Sequence, residues 1–363
     1  MRILFVTAHI DKGGGQAIQS VQLVRQLSSM VDAEFIGLTA AGAPKGSRQD
    51  GNFEVVGKLS FPTGLWALRR EIRSRRERWD IVQAFDQYYS LPAARLARTP
   101  ALVVRFGAHP VEDLASRYGV LARFATRVLN PWLLAGVHVV VNADHLRSAF
   151  PGGRVTVIRN GVDLQRFPRN PDRIEARRAL GLPLGLPFVT YTGKIIPRKN
   201  IEDLYRALRA VPSLHLLLVG SDQEPYYGDD YHRRVRAQYS DVLSRAHHLG
   251  ELPPSRVPEC LAATDLFLFP SRLEGMPNSL LEAMAAGLPV LASDTIAHRE
   301  IVPNPEAQLY DSADDMVEKI KAWIDSPSRS ASQGLANRQL VEERFSLKTA
   351  AESYLNLYRS ILA

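Results

Sequence analysis

Two glutamates stand eight positions apart in the stretch SRLEGMPNSLLEAMAAGLPVLASD, residues 271–294: Glu274 and Glu282. The preceding DLFLFPS reads as a buried strand, so Glu274 falls in the loop at its carboxyl end. Pro277 suits a first helical turn, with Asn278 or Ser279 able to cap nearby donors. SLLEAMAA is rich in helix formers, and Gly287 with Pro289 stops the helix. Glu282 then lies in its first or second turn, at the same end of the sheet as Glu274. A helix N-terminus offers unpaired N–H groups and a positive dipole end, which suits a phosphate. A carboxylate beside it can accept two hydroxyl hydrogen bonds, such as a sugar diol donates. Lys194 and Lys199 flank another strand-end loop and would suit a group carrying about two negative charges. The pattern fits a sugar–diphosphate–ribose ligand. A plainer reading has Glu282 complementing the helix dipole while Glu274 and both lysines are merely solvated.

These residues need a scaffold that brings strand ends together. Apolar runs alternate with amphipathic stretches: RILFVTA, AEFIGLTA, DIVQAF, ALVVRFGA and VHVVVNA fall within residues 1–165. After the Pro/Gly-rich connector at 181–187 come FVTYTG, HLLLVGS, AHHLG, DLFLFPS, PVLASD and AQLY. Strand–helix alternation predicts parallel, doubly wound sheets, two Rossmann-like units for 363 residues. Ligands of such folds bind beyond the carboxyl ends of the strands, here in an interdomain cleft. The first apolar run is shorter than a signal-peptide core of ~7–15 residues, and no run reaches the ~18 that span a bilayer. The single cysteine, Cys260, excludes an internal disulfide and fits a reducing compartment.

Charge is uneven. Residues 1–170 hold 23 Lys and Arg against 13 Asp and Glu, a net +10, and residues 171–363 hold 22 against 25, a net −3. The first half therefore faces something anionic. LWALRREIRSRRERWD, residues 65–80, reads as a helix with Leu65, Leu68, Ile72 and Trp79 on one stripe. Its arginines (Arg69, Arg70, Arg73, Arg75, Arg76 and Arg78) form a basic face for an anionic membrane, or a solvated face over a stripe packed on the sheet. A nucleic-acid-binding protein would want interleaved aromatics and a binding module, which this segment lacks. Asp229–Asp230 reads as a solvated turn, and no DxD pattern ends a strand.

Taken in order, the motifs resemble the retaining glycosyltransferases of family 4, which have the GT-B fold. Glu274 and Glu282 match the glutamates of that family's E-x7-E motif. VIRNGVDLQRF (157–167) resembles its interdomain linker, YTGKIIPRKNIEDLYRAL (191–208) its phosphate-binding strand–loop–helix, and ERFSL with YLNLY its closing helix. The resemblance covers essentially the whole chain. It implies two facing Rossmann-like domains: an acceptor domain at 1–168, a nucleotide-sugar domain at 169–343, and a tail at 344–363 crossing back to the first.

The resemblance also assigns roles. Lys194 and Lys199 would grip the donor diphosphate beside Gly193, although the family usually has Arg where Lys194 stands, which loses a bidentate fork. Glu282 would take the ribose hydroxyls and Glu274 those of the donor sugar. Backbone N–H groups of Met276, Asn278 and Ser279 would face sugar and phosphate, and Pro277 replaces a frequent glycine and removes a donor. Gly250 and Leu252 would frame the base. In the first domain, HIDKGGGQ supplies Gly14 and Gly15 near the phosphate, and His109 would sit near the donor sugar. Glu274, His109, Lys194 and Lys199 are the expected catalytic set.

The implied reaction is retaining transfer of a hexose from a UDP-sugar, with GDP-mannose next, to a hydroxyl acceptor in lipid-linked glycan, polysaccharide or glycolipid synthesis. No essential metal or other cofactor, and no nucleic acid, is implied. The expected location is cytoplasmic, peripheral on the inner face of the plasma membrane. A sugar-nucleotide epimerase on the same fold is the competing activity.

Overall fold

The computed structural model describes residues 1–8, 15–39, 45–46, 48–49, 53–111, 124, 128–222 and 230–363. The chain divides into two compact units, Met1–Gly161 with Leu347–Ala363, and Val162–Ser346.

The first unit is built on a sheet of eight strands in the order β3-β4-β2-β1-β5-β6-β7-β8. These are β1 (Arg2–Thr7), β2 (Asp32–Thr39), β3 (Arg48–Gln49), β4 (Phe53–Lys58), β5 (Ile81–Ala84), β6 (Leu102–Phe106), β7 (His138–Val141) and β8 (Arg154–Val157). All pair in parallel except β3 with β4. Side chains alternate faces along a strand. Leu4 and Val6 of β1 therefore pack with Leu68 and Ile72 on one side. Ile3 and Phe5 pack with Leu23, Leu27 and Tyr358 on the other. Covered on both faces, β1 reads as an unbroken apolar run. The stripe at 65–80 does pack inward: Leu65, Leu68, Ile72 and Trp79 are all buried. The helix, however, spans Thr63–Arg75 and gives way to a 3-10 turn at Arg76–Arg78, so Trp79 is not a helical position.

The second unit holds β9 (Phe188–Thr192), β10 (His215–Val219), β11 (Ala246–His248), β12 (Leu266–Phe269), β13 (Val290–Ser293) and β14 (Leu309–Tyr310). Their order is β11-β10-β9-β12-β13-β14, all parallel. From β9 the chain winds outward to β10 and β11, then returns to β12 on the other side of β9. The strand order reverses between β9 and β12, the switch point at which open α/β sheets bind ligands.

The unit boundaries differ from the expected 168/169 and 343/344. Phe167 and Phe345 are buried in the core of the second unit, and Arg338 Nη1 donates to Phe167 O at 2.7 Å. Val162 N donates to Phe345 O at 2.8 Å, which ties the incoming and outgoing chain together at the edge of that unit. The helix Leu347–Leu362 returns to the first unit. There Ala351, Leu355 and Tyr358 share a core with Leu23 and Leu27, and Tyr358 Oη donates to Gln83 Oε1 at 3.2 Å.

Candidate active site

At the switch point, β9 runs into Gly193 and β12 into the loop that carries Glu274. Gly193 has φ +146°, and a Cβ there would meet Tyr191 Oη at 2.8 Å. Gly220, after β10, has φ +151°, and its Cβ would fall 1.8 Å from Gly193 O. Only glycine allows the two strand ends to approach so closely. Gly193 N donates to Val219 O at 2.9 Å, and Gly220 N donates to Gly250 O at 2.8 Å. The ends of β9, β10 and β11 are thereby fastened in a row, with Gly250 in the left-handed region at φ +70°. Leu252 packs onto Leu182, Phe188 and Leu217.

The two lysines have different environments. Lys194 is exposed. Lys199 ends the 3-10 turn Pro197–Lys199, and Asn200 after it has φ +51°. The Lys199 ammonium turns inward, pairing with Glu274 Oε1 and lying 5.1 Å from the Phe269 ring centroid. Both members of this pair are largely buried, with side chains 13% and 10% exposed. Glu274 Oε1 also accepts from Ser271 Oγ at 2.5 Å. Burial pushes the Lys199 ammonium below its ordinary range, against the pull of Glu274. Burial works to raise Glu274, but Lys199 and Arg198 more than offset it and hold the carboxyl low. Glu274 is thus ionised and paired, which overturns the solvated reading for it and for Lys199.

Glu282 is held by a different cation. It lies in the helix Asn278–Ala285, whose Leu280, Leu281 and Met284 are buried. Arg166 Nη1 donates to Glu282 Oε1 at 3.2 Å, Arg166 Nη2 to Pro254 O at 2.6 Å, and the guanidinium lies 5.2 Å from the Phe167 ring centroid. Burial raises the Glu282 carboxyl and Arg166 opposes it, leaving it above the ordinary carboxylate range. The helix begins one residue later than expected. Pro277 occupies the cap position in extended geometry and no side chain caps it, so Asn278 and Ser279 are first-turn residues, not caps. Met276 is buried, while Asn278 and Ser279 are half-buried.

Three contributors went unmarked in the sequence. Arg166 lay inside the linker motif with nothing to flag it as the partner of Glu282. Ser271 sits three residues before Glu274, and its backbone O accepts from Ser293 Oγ at 2.6 Å. His298 is fully buried, its Nδ1 lies 2.6 Å from Ser293 O, and its Nε2 has no hydrogen-bond partner among the described residues. Burial lowers the His298 imidazole, with Glu274 opposing and Lys199 reinforcing, so it is neutral at physiological pH.

In the first unit, His109 follows β6 and is half-buried. Gly15 opens the helix Gly15–Ser28, and Gly14 lies outside the described residues. The arginine face needs correction. Arg75 Nη2 pairs with Glu54 at 2.9 Å and Glu71 at 3.4 Å, Arg75 Nη1 pairs with Glu34, and the side chain is 14% exposed. Arg75 therefore stitches the helix to β2 and β4 and is not a surface charge. Arg70 lies 3.5 Å from Glu71 and Arg76 3.6 Å from Glu77, whereas Arg73 is exposed. Asp230 begins the helix Asp230–Gln238 and pairs with Arg233 instead of forming a turn. Asp229 lies outside the described residues. Among those described, no helix is long and apolar enough to cross a membrane.

Residues 172–340 match the family model of the glycosyl transferases group 1. The chain is 29% identical over 240 residues to the lipopolysaccharide core biosynthesis mannosyltransferase LpsB of Rhizobium meliloti, covering 64% of this chain and 68% of that protein. It is 30% identical over 216 residues to a GDP-mannose-dependent monoacylated alpha-(1-6)-phosphatidylinositol monomannoside mannosyltransferase of Corynebacterium glutamicum, covering 55% of each. The matched stretches thus span 68% and 55% of these two relatives. HepE of Anabaena, solved in complex with UDP-glucose, shares the fold with a TM-score of 0.81 at 21% identity, over 99% of this chain and 100% of that one. The chain is an enzyme of the glycosyltransferase class, with the GT-B fold and a group 1 domain in its second unit.

Proposed function

We propose that the chain is a retaining hexosyltransferase that takes its sugar from a UDP-sugar, with GDP-mannose the next candidate, and passes it to a hydroxyl acceptor. The observation that carries this reading is the inward ion pair of Lys199 with Glu274 at the switch point. A cation and an acceptor are held ready there, beside the N-terminal end of the helix Asn278–Ala285. In this reading the donor diphosphate lies against Lys194 and Lys199, and Glu274 exchanges part of its pairing for the sugar hydroxyls. Glu282, held by Arg166, accepts the ribose hydroxyls. Charge growing on the diphosphate as the glycosidic bond breaks is stabilised by the two ammonium groups and the helix end. No divalent ion is needed at the phosphates, so added Mg²⁺ or Mn²⁺ leaves turnover unchanged. HepE, solved with UDP-glucose, supports a UDP-sugar, and the Corynebacterium relative, named for GDP-mannose, supports the alternative.

The acceptor in this proposal is carried at an anionic membrane, in lipid-linked glycan or glycolipid synthesis. With Arg75 engaged, support for it moves to a neighbouring surface of the first unit. Trp66 and Trp132 are 52% and 53% exposed. Arg69 stacks 5.1 Å from the Trp66 ring centroid, and Arg95 lies 5.9 Å from that of Trp132. Arg69 also donates to Leu96 O at 3.4 Å, which joins the helix Thr63–Arg75 to the helix Ser90–Ala97. Tryptophan beside arginine is the composition of a surface that settles into headgroups.

Thermal-shift titration with UDP-, GDP-, ADP- and dTDP-sugars tests the donor class. A ligand at 100 times its dissociation constant stabilises by ~2.7 kcal/mol. A shift with UDP- or GDP-sugars supports the reading, and no shift with any of the four overturns it.

A further inference from the structure

On the far side of β10 from β9, three side chains with ligating atoms converge. Asp222 follows β10, His232 lies in the helix Asp230–Gln238, and His248 ends β11. One ligand atom from each lies within 4.8 Å of the others. We propose that Asp222, His232 and His248 form a zinc site, with water in the fourth position.

The contacts of the two Nε2 atoms are of the kind that support a ligating imidazole. His248 Nε2 lies 3.1 Å from Gly220 O. A carbonyl only accepts, so Nε2 carries the proton and Nδ1 keeps a lone pair for a metal. His232 Nε2 lies 3.0 Å from Tyr205 Oη, and His232 Nδ1 lies 3.0 Å from Asp222 Oδ2. The Asp222 carboxylate only accepts, so His232 Nδ1 carries the proton as the chain stands; a metal at Nδ1 would move that proton to Nε2, which would then donate to the Tyr205 hydroxyl oxygen. Ligating histidines almost always donate their other N–H to such an acceptor, which fixes the ring. The two rings meet edge to face at 4.9 Å.

Tetrahedral zinc with bonds of ~2.1 Å spaces its ligands ~3.4 Å apart, so a pair as much as 4.8 Å apart must close by up to ~1.4 Å. Asp222, 39% exposed at its side chain, has room to move. Two imidazoles and one carboxylate suit Zn²⁺; Mg²⁺ and Ca²⁺ prefer all-oxygen sets. Arg236 adds a positive charge in the neighbourhood of Tyr205 and His232.

Such a metal would tie β10, β11 and the helix together, with Asp222 two residues after Gly220 and His248 two residues before Gly250. Its existence does not depend on the donor reading, and its test needs no turnover.

The full chain is stripped with chelator, reloaded with Zn²⁺ or Co²⁺ and desalted. The expected result is one retained zinc per chain, the visible absorption of tetrahedral Co²⁺, and a higher melting temperature. Because His232 is buried, Asp222→Asn and His248→Gln carry the test, and each should lose at least tenfold in Zn²⁺ affinity. His247→Gln is the control, since His247 and His215 form a separate pair at 3.2 Å. The proposal fails if the wild type retains no zinc, if both variants retain it like the wild type, or if His247→Gln is the change that releases it.

Discussion

Arg166 Nη1 donates to Glu282 Oε1 at 3.2 Å across 116 residues of chain. Arg166 also grips Pro254 O, so the guanidinium is fixed before it meets the carboxylate. Only the side of the carboxylate not taken by Arg166 remains for a ligand. Glu282 is therefore an oriented acceptor, which is more than a residue complementing the helix dipole would need.

Glu282→Gln should weaken UDP and UDP-sugar binding. A hydrogen bond to a charged group is worth ~1.5–3 kcal/mol, roughly 10- to 150-fold in affinity. Calorimetric titration of both ligands is the check, and unchanged affinities would remove Glu282 from the site.

Lys199→Met should destabilise the fold in a pH-dependent way. Breaking a buried pair costs ~3–5 kcal/mol because one charge is left alone. Glu274 has its folded pKa below the ordinary 4.5. The stability it contributes is present above that value and is lost as pH falls through the depressed folded pKa. The gap between wild type and Lys199→Met should therefore be full at neutral pH and shrink in acid. Denaturant unfolding across this range measures it, and a gap that widens in acid would contradict the pairing.

Gly220→Ala and Gly250→Ala separate close approach from backbone strain. At Gly250 nothing lies within 4 Å of a new Cβ, and only φ +70° opposes it, a cost of ~1–2 kcal/mol. At Gly220 the Cβ would fall 1.8 Å from Gly193 O, so the strand ends must part, at a cost above ~4 kcal/mol. Melting of the two variants compares them directly. Equal losses would mean that the approach of Gly193 and Gly220 is not rigid.

Much of this arrangement was legible in the sequence, for local reasons. β1, β9, β10 and β12 are apolar runs ended by turn residues, and Gly287 with Pro289 marked the end of the helix Asn278–Ala285. The strands β3, β4 and β8 were not anticipated. β3 has two residues, and β8, RVTV, is an edge strand with no fully buried side chain. What escaped is mostly long-range. Arg75 looked like one more surface arginine because its partners, Glu34 and Glu54, come from other strands. Arg166 and Glu282 carry no local sign of each other.

The Trp66–Trp132 surface predicts preferential retention on anionic vesicles. Each basic residue near such a surface contributes ~1 kcal/mol, and the tryptophans add an interfacial part less sensitive to salt. In co-sedimentation, Trp66→Ser with Trp132→Ser should reduce binding at both low and high salt. Equal retention on neutral and anionic vesicles would favour an acceptor free in solution.

The most direct test is a crystal structure of the complex with UDP-glucose or GDP-mannose, whichever gives the larger thermal shift. The ribose hydroxyls are expected within hydrogen-bond distance of Glu282, the hexose hydroxyls beside Glu274, and the diphosphate against Lys194 and Lys199. A donor bound elsewhere, or one that leaves Glu274 and Glu282 without a contact to it, would contradict the account.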